Sequence, residues 1–217
     1  QTLPERAYLY GTPYEWYERY GIRKYGFHGT SHLYVSRRAA VHLGKPSSQV
    51  NLITLHIGNG ISLTAIENGV AVEHSMGLTP LEGVMMGTRS GSIDPAIVSF
   101  IAEKEGRSAE DVVDVSLNRK SGLVGITGYT DMRDILSGRA GGDRKCRLAF
   151  DVYCHRIRLY FGAYLAVLGY DVDAVVFAGG VGENVGDVRA AVLADADRVG
   201  IAVDPEKNQA AKASSGE

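Results

Sequence analysis

The sequence has few cysteines, almost no net charge and no long apolar run. Its 217 residues include two cysteines, eight positions apart in a stretch with helical periodicity, so they cannot bond to each other along one helix. With 23 basic and 25 acidic residues the net charge is −2, which gives no bulk attraction to nucleic acid or to an anionic membrane. No segment approaches the roughly 18 apolar residues of a membrane-spanning helix. We therefore expect a cytoplasmic protein without a nucleic-acid or membrane partner.

Glycine, in contrast, is abundant. The chain has 27 glycines among 217 residues, well above the usual share of about 7%. Four segments combine glycine with polar residues at or beside the end of an apolar run, at 27–32, 56–60, 86–91 and 178–184. Because glycine lets the backbone approach a ligand closely, these segments are the candidate binding regions.

Short apolar runs followed by longer helical patterns predict a mixed α/β domain. Strands are predicted at 51–56, 61–67 and 70–74, and the Asn68-Gly69 pair before the last is a hairpin signal because both residues accept positive φ. Helices are predicted at 32–43, 94–105 and 143–168 and from about 187, and a buried strand at 174–177. A three-strand meander, then helices, then a strand running into glycines before a helix belongs to the α/β class.

Two of the glycine segments suit a phosphate group, because glycine-rich turns can aim several backbone N–H groups at one anion. Gly58-Asn59-Gly60 would form the tip of a hairpin, and 179–182 lies between a strand and a helix. Neither is a Walker loop, since no Gly-Lys-Ser/Thr follows. From the residues alone, the first is more often a structural turn, and the second fits a turn or a phosphate site equally well.

Three polar groups allow both a chemical and a structural interpretation. His28 and His32 are four apart, but a zinc site would need further ligands at suitable spacing, so His32 is better explained by packing or capping. His28, beside a glycine, can project into a cleft. Arg89, which lies among small residues, is either a solvated surface cation or a guanidinium that donates two hydrogen bonds to an oxyanion. The acidic pattern at 131–134 is, by spacing, a helix start.

The ordered motifs of the chain resemble acetate kinases. They lie at 25–32, 56–60, 75–83, 86–95 and 180–184 and span essentially the whole sequence. The resemblance implies the two-domain fold shared with sugar kinases, actin and the heat-shock chaperone ATPases, in which each half is a ribonuclease H-like βββαβαβα unit. This chain would be the C-terminal nucleotide-binding half, with an initial segment and helix at 1–45 and the α/β core at 46–217, and the N-terminal domain absent.

The resemblance also implies an activity and the residues that perform it. The parent enzyme would transfer a phosphoryl group reversibly from ATP to acetate, giving acetyl phosphate and ADP with Mg²⁺. His28 and Arg89 would stabilise the transition state, and Phe27 and Pro80 would line the pocket for the acetate methyl group. The residues implied to bind the nucleotide are His56, Ile57, Gly58, Asn59, Gly60, Asp131, Met132, Arg133, Gly180, Val181, Gly182, Glu183 and Asn184. For 131–133 this replaces the interpretation as a mere helix start.

By the same resemblance, the metal ligands lie outside this chain. A magnesium-associated Asn, an acetate-binding Arg and a catalytic Asp would belong to the N-terminal domain, and a magnesium-associated Glu would follow Glu217. The chain departs from the pattern at Ile61-Ser62, where two small hydroxyl residues are expected, so one hydrogen bond beside the phosphate loop should be weaker. The family's dimer contact lies mainly in this half, which implies a homodimer.

Two alternatives to acetate phosphorylation stay open at this stage. A propionate or butyrate kinase of the same superfamily would use much the same motifs, although the long match at 76–95 favours acetate. A non-catalytic nucleotide-binding or dimerisation module has no need of transition-state donors, so the presence of both His28 and Arg89 favours an enzyme.

Overall fold

A four-stranded mixed sheet forms the centre of the computed structural model, which describes residues 2–212. Strands β1 (Leu52–Ile57), β2 (Ile61–Glu67) and β3 (Val70–His74) form an antiparallel meander, and β4 (Ala174–Ala178) runs parallel to β1. The order across the sheet is β3-β2-β1-β4. In the β2–β3 turn, φ is 48° at Asn68 and 77° at Gly69. The predicted strands and the predicted Asn-Gly hairpin are confirmed.

Helices cover the sheet and fill the long connection between β3 and β4. They are α1 (Glu5–Tyr8), α2 (Tyr14–Tyr20), α3 (Gly29–His42), α4 (Ala96–Glu105), α5 (Ala109–Asp111), α6 (Gly122–Thr127), α7 (Met132–Ala140), α8 (Arg144–Val167), α9 (Gly179–Asn184), α10 (Gly186–Val192) and α11 (Pro205–Ala210). A π-helical segment, Val112–Leu117, follows α5. The described residues thus run βββ, helices, β, helices, which matches the start of the expected βββαβαβα order; a second parallel strand is not among residues 2–212.

The sheet is buried on both faces, which explains why β1 and β2 are apolar almost throughout. Alternation along β1 sends Ile53, Leu55 and Ile57 into the main core with α8, and each has 0% of its surface exposed. Leu52 points the other way and packs with Ala40 of α3 in a smaller cluster. Further along β1, polar residues take the place of apolar ones on this second face, and they lead into the site described below.

Acidic and hydroxyl side chains cap the starts of several helices. Asp131 accepts from the backbone N–H of Arg133 at 2.8 Å at the start of α7, and Asp143 accepts from that of Lys145 at 2.7 Å at the start of α8. Ser108 accepts from the N–H of Asp111 at 3.0 Å. The local interpretation of 131–134 as a helix start is therefore confirmed.

Helix α9 differs from the sequence prediction, which placed a glycine loop at 179–184 and a helix only from about 187. The helix instead begins directly after β4, at Gly179 with φ of 79°. A Cβ built on Gly179 would lie 2.8 Å from the carbonyl oxygen of Ile57, so glycine is needed for close contact with β1. These glycines thus bring a helix close to the sheet, which composition alone cannot distinguish from a loop.

The segment before α3 lies on β3 and the loop that follows it. Thr2 donates to the carbonyl of Ala71 at 3.1 Å, and the half-buried Lys24 and Glu73 form an ion pair at 2.9 Å. The hydroxyl of Tyr10 donates to the Glu82 carboxylate in the next loop. The initial segment is thus attached to the edge of the sheet rather than to a separate core.

Two compositional predictions are tested directly. Cys146 and Cys154 are both buried free thiols on α8, so they are not bonded to each other. Among residues 2–212, no helix combines the length and the apolarity needed to cross a bilayer.

Candidate active site

His28 and Arg89 converge on one glycine at the end of the first hairpin. A Cβ built on Gly60 would lie 3.6 Å from Nε2 of His28 and 3.4 Å from Nη1 of Arg89. His28 immediately precedes α3 and has φ of 58°, a conformation that a non-glycine residue adopts at some cost. Its ring stacks on His56 of β1 with 4.2 Å between centroids. Two hydrogen-bond donors of different charge therefore face the same small volume.

Arg89 is held in place by backbone contacts. Its Nη1 donates to the carbonyl of Pro80 at 3.2 Å, and its own carbonyl accepts from the N–H of Met86 at 3.0 Å. Gly122 packs against this loop with φ of 66°, and a Cβ there would lie 2.1 Å from the Met86 carbonyl oxygen. Arg89 is half-buried in a fixed loop, which fits the oxyanion-binding interpretation better than that of a solvated surface cation.

Burial keeps His28 neutral near pH 7. Burial, together with repulsion of a second positive charge by the neighbouring His56 and Arg89, lowers the pKa of His28 to about 4. Burial likewise lowers the pKa of His56. At neutral pH the site therefore presents one permanent cation, Arg89, and one neutral imidazole that can donate a single N–H.

His32 is a packing residue, as its position on α3 predicts. It is 5% exposed; Nδ1 lies 2.7 Å from the Thr54 hydroxyl and Nε2 lies 2.7 Å from the Ser62 hydroxyl. Burial, together with the neighbouring histidines, lowers its pKa to about 3. With both ring nitrogens occupied by hydroxyl groups, His32 has none to offer to a metal ion shared with His28.

A cleft of about 770 Å³ brings together three of the segments implied to bind the nucleotide. At the hairpin tip it is lined by Gly58 and Asn59, at the start of α7 by 131–133, and on α9 by Gly180, Val181 and Asn184. Residues 58 and 184 are 126 positions apart in the sequence. The hairpin tip and α9 meet because β4 pairs with β1 in the sheet. The cleft thus lies between a hairpin tip and two helix starts, where backbone N–H groups are available to an anion.

The cleft is also lined by residues that are not among those implied to bind the nucleotide. Gly87 and Thr88, from the same loop as Arg89, line it, as do Leu123 and Tyr153. Tyr153 is 1% exposed and lies on α8, where its periodicity marks it only as a core residue. Gly87 and Thr88 belong to the 86–95 motif, so the sequence could have identified these two as cleft residues.

Three residues implied to bind the nucleotide have other roles in this structure. Ile57 is fully buried in the core, and a Cβ on Gly182 would lie 3.5 Å from the Cβ of Ile57, so these two residues join α9 to β1. Glu183 accepts from the N–H of Gly179 at 3.0 Å at the start of α9, which occupies that donor. Within the chain these three residues hold α9 against β1, and their contact with a nucleotide stays a prediction.

The remaining predicted residues lie on the His28 side of the hairpin. His56 and Gly60 flank His28, as described above. The backbone N–H of Phe27, next to His28, donates to Nε2 of His74 at 2.9 Å. Pro80 is bonded to Arg89 through its carbonyl. Both residues implied to line an acetate pocket are thus attached to one of the two converging side chains.

The departure at Ile61-Ser62 does not weaken the phosphate loop. Ile61 is 0% exposed and belongs to the core, so a hydroxyl at this position would not face the loop. Ser62 keeps its hydroxyl and lies 2.8 Å from Nδ1 of His28. The expectation of a lost hydrogen bond is wrong because alternation along β2 turns residue 61 away from the site.

Comparison with known proteins shows the family. Residues 1–217 match the family described as the acetokinase family. The chain belongs to this family. It is 55% identical over 212 residues to the acetate kinase of Trichlorobacter lovleyi (97% of this chain, 50% of that protein) and 52% identical over 209 residues to the acetate kinase of Methanosarcina mazei (96% and 51%).

Solved acetokinase-family structures have the same fold. Porphyromonas gingivalis acetate kinase gives a TM-score of 0.94 at 44% identity, covering 98% of this chain and 53% of that one. A propionate kinase from Francisella tularensis gives 0.91 at 41% identity, covering 96% and 53%. The fold is therefore that of an actin-like ATPase domain. The chain spans about half the length of the curated acetokinase relatives it matches, 50% in the first.

Gly180 offers a direct test of nucleotide binding in the cleft. A Cβ at Gly180 meets nothing within 4 Å, yet the residue lines the cleft. We expect Gly180→Val to weaken ADP binding by about tenfold or more while thermal stability stays close to that of the parent, because the side chain fills ligand space only. Isothermal titration with ADP measures this effect.

Gly182→Ala is the matched control, since its Cβ makes ordinary contact with Ile57 and does not enter the cleft. ADP affinity should stay within about twofold for this variant. Unchanged ADP affinity in Gly180→Val would show that α9 has a structural role only and does not contact ADP.

Proposed function

We propose that this chain is the C-terminal, nucleotide-binding half of an enzyme that transfers a phosphoryl group reversibly between ATP and acetate. The observation that carries the proposal is the cleft from α7 to the hairpin tip, which adjoins the convergence of His28 and Arg89 on Gly60. A nucleotide in this cleft has its phosphates at the end where the two donors lie. Family membership supports the same reaction.

The chemistry needs alignment and charge stabilisation rather than a covalent intermediate on the protein. A carboxylate oxygen of acetate attacks the γ-phosphorus in line, the bond from that phosphorus to the ADP oxygen breaks, and ADP leaves with the electron pair. The Arg89 guanidinium and the His28 N–H donate to the equatorial oxygens of the phosphoryl group in flight, where negative charge is concentrated. Phe27 and Pro80 line the side on which the acetate methyl group lies.

The adenosine end of the cleft is formed by the start of α7. The Arg133 guanidinium donates to both carboxylate oxygens of Asp131, with Nη2 at 2.6 Å, and Arg133 is exposed. This ion pair holds the pKa of Asp131 down at about 2, so the carboxylate stays charged and can accept from ribose hydroxyls. Asn59, at the tip of the hairpin, is the side chain best placed to contact the phosphates.

Magnesium accompanies ATP in this proposal, but its protein ligands lie outside the chain. Within residues 2–212 no three His, Cys, Asp or Glu side chains are grouped so as to hold a metal ion. Bound Mg²⁺ would neutralise phosphate charge. The residues described here contribute orientation and N–H donors instead.

Several further proposals concern the whole enzyme. The catalytic Asp, the acetate-binding Arg and an Asn associated with magnesium come from an N-terminal domain. Exposed apolar residues on α8, including Leu148 and Leu159, support a homodimer through this half. The two free thiols support a cytoplasmic location.

The function is tested by hydroxamate formation from ATP, acetate and hydroxylamine. We expect turnover by the full-length protein that depends on acetate and Mg²⁺, and none above background by the 217-residue chain alone, because the two halves of the site are on different domains. Turnover by the chain alone that is lost in His28→Ala would overturn the split-site arrangement. A full-length protein that binds ADP without turnover would identify a binding module.

Propionate is the second candidate substrate, because a propionate kinase is among the similar structures. An apolar pocket distinguishes homologues that differ by one methylene by only about 1–3 kcal/mol. We therefore expect propionate to be used by the full-length protein with kcat/KM about 10- to 200-fold below that for acetate. The reverse order would make it a propionate kinase.

A further inference from the structure

A continuous chain of hydrogen bonds runs from the middle of the sheet to His28. The Thr54 hydroxyl lies 2.7 Å from Nδ1 of His32, and Nε2 of His32 lies 2.7 Å from the Ser62 hydroxyl. The same Ser62 oxygen lies 2.8 Å from Nδ1 of His28. Thr54 and Ser62 are 0% exposed and His32 is 5% exposed, so the chain is sealed from solvent up to His28.

Neutral rings allow this chain only two directions. A neutral imidazole donates from one nitrogen and accepts at the other, and a serine hydroxyl has one proton to donate. Either every proton points from Thr54 towards His28, or every proton points from His28 towards Thr54. In the mixed arrangement both rings donate to the Ser62 oxygen, which leaves the buried Ser62 proton without an acceptor among residues 2–212.

The Thr54 hydroxyl selects between the two directions. Within residues 2–212 its hydrogen-bond partner is His32. If His32 donated to Thr54, the threonine proton would be a buried donor without an acceptor, which is costly. If Thr54 donates, every polar hydrogen of the chain is paired. The protons therefore point from Thr54 to His32, from His32 to Ser62 and from Ser62 to Nδ1 of His28.

We propose that Thr54, His32 and Ser62 are positioning residues that hold His28 as the neutral tautomer with its proton on Nε2. This nitrogen is the one that faces Gly60. The tautomer matters because an Nε2–H donates to a phosphoryl oxygen, whereas an Nε2 lone pair in the same place would repel it. The catalytic consequence rests on the proposed phosphoryl transfer; the tautomer itself does not.

The electrostatics of the cluster agree with neutral rings. Burial lowers the pKa of His32 and of His28 well below 7, and each ring is further disfavoured as a cation by its histidine neighbours. A protonated His28 would also donate from Nδ1, so Ser62 would accept from two rings and its own proton would lack a partner. A charged ring thus breaks the pairing that the neutral chain completes.

The direct test is nitrogen NMR of the full-length protein with ¹⁵N-labelled histidine, in which the two neutral tautomers give distinct pairs of ring shifts. A spectrum of the His28→Gln variant identifies the His28 signals by their loss. We expect His28 with its proton on Nε2 in the unmodified protein. A proton on Nδ1 would overturn the proposal.

Two variants test whether the chain is the cause. Ser62→Ala and Thr54→Val should each produce a mixture of His28 tautomers and lower kcat by about 5- to 30-fold, with KM for ATP within about twofold. Thr54→Ser keeps the donor and should restore both the single tautomer and kcat. If Thr54→Val loses kcat but keeps the Nε2–H tautomer, Thr54 acts through packing and the proposal fails.

Thr64→Val is the matched control for the tautomer measurement. Thr64 is the cross-strand partner of Thr54, and its hydroxyl bonds His74 at 2.8 Å instead of His32. The His28 signals should be unchanged in this variant. Full activity in His28→Ala would contradict the proposed function while leaving the tautomer assignment intact, so the two failures can be told apart.

Discussion

We expect Arg89→Ala in the full-length enzyme to lower kcat by about 10²- to 10³-fold with KM for ATP within a few-fold. A fixed cation that acts mainly on the negative charge of the phosphoryl group during transfer stabilises the transition state more than the bound substrate. Steady-state kinetics with hydroxylamine trapping measures both constants, and they report the loss of transition-state stabilisation directly.

Two controls separate charge from loop structure in this variant. Arg89→Lys keeps the positive charge but loses the planar fork, so its kcat should lie between those of the parent and the alanine variant. Added guanidinium should partly restore the alanine variant if the loop is intact. Near-normal kcat combined with weak nucleotide binding would show instead that Arg89 holds the ground state.

Acidification should destabilise this domain strongly between pH 6.5 and about pH 4. Burial lowers the pKa of His32 to about 3 and that of His74 to about 4, whereas in the unfolded chain both rings titrate near 6.5. The unfolded state therefore binds more protons in this window, and the free energy of unfolding falls as the pH drops. Each histidine contributes a slope of up to about 1.4 kcal/mol per pH unit.

Denaturant titrations at several pH values measure this slope. Replacing His74 by asparagine should reduce this slope by the contribution of one histidine, up to about 1.4 kcal/mol per pH unit, even if the variant is less stable at pH 7. His74 is the safer choice because it lies outside the hydrogen-bond chain of His28. A slope unchanged by the substitution would mean that His74 takes up its proton in the folded state.

The parts of the fold that depend on local pattern could be predicted from the sequence. The alternation in β1 and β2 and the Asn68-Gly69 turn follow from backbone preferences of the residues themselves. Asp131 and Asp143 cap helices because a carboxylate satisfies N–H groups within two or three residues. These features can be predicted without knowing which residues pack against them.

Features set by tertiary contact were not predictable in this way. Gly179 and Gly182 resemble loop glycines until β1 is placed against them, at which point they become the packing surface of a helix. Ser62 and Thr54 are ordinary strand residues in sequence, and their connection to His28 exists only once α3 lies on the sheet. The direction in which Ile61 points also depends on the pairing of β2.

The placement of β1 has a consequence for local unfolding. Its backbone is hydrogen-bonded on both edges, to β2 and β4, and its side chains are covered on both faces, so its amides should exchange with solvent only when the whole domain opens. The ring of His28 is connected to Thr54 of this strand by hydrogen bonds through Ser62 and His32, whereas Arg133 is exposed at the start of α7. We therefore expect the Thr54 amide to exchange more slowly than that of Arg133, so that the proposed phosphoryl donor would rest on a more stable part of the fold than the proposed nucleoside contacts.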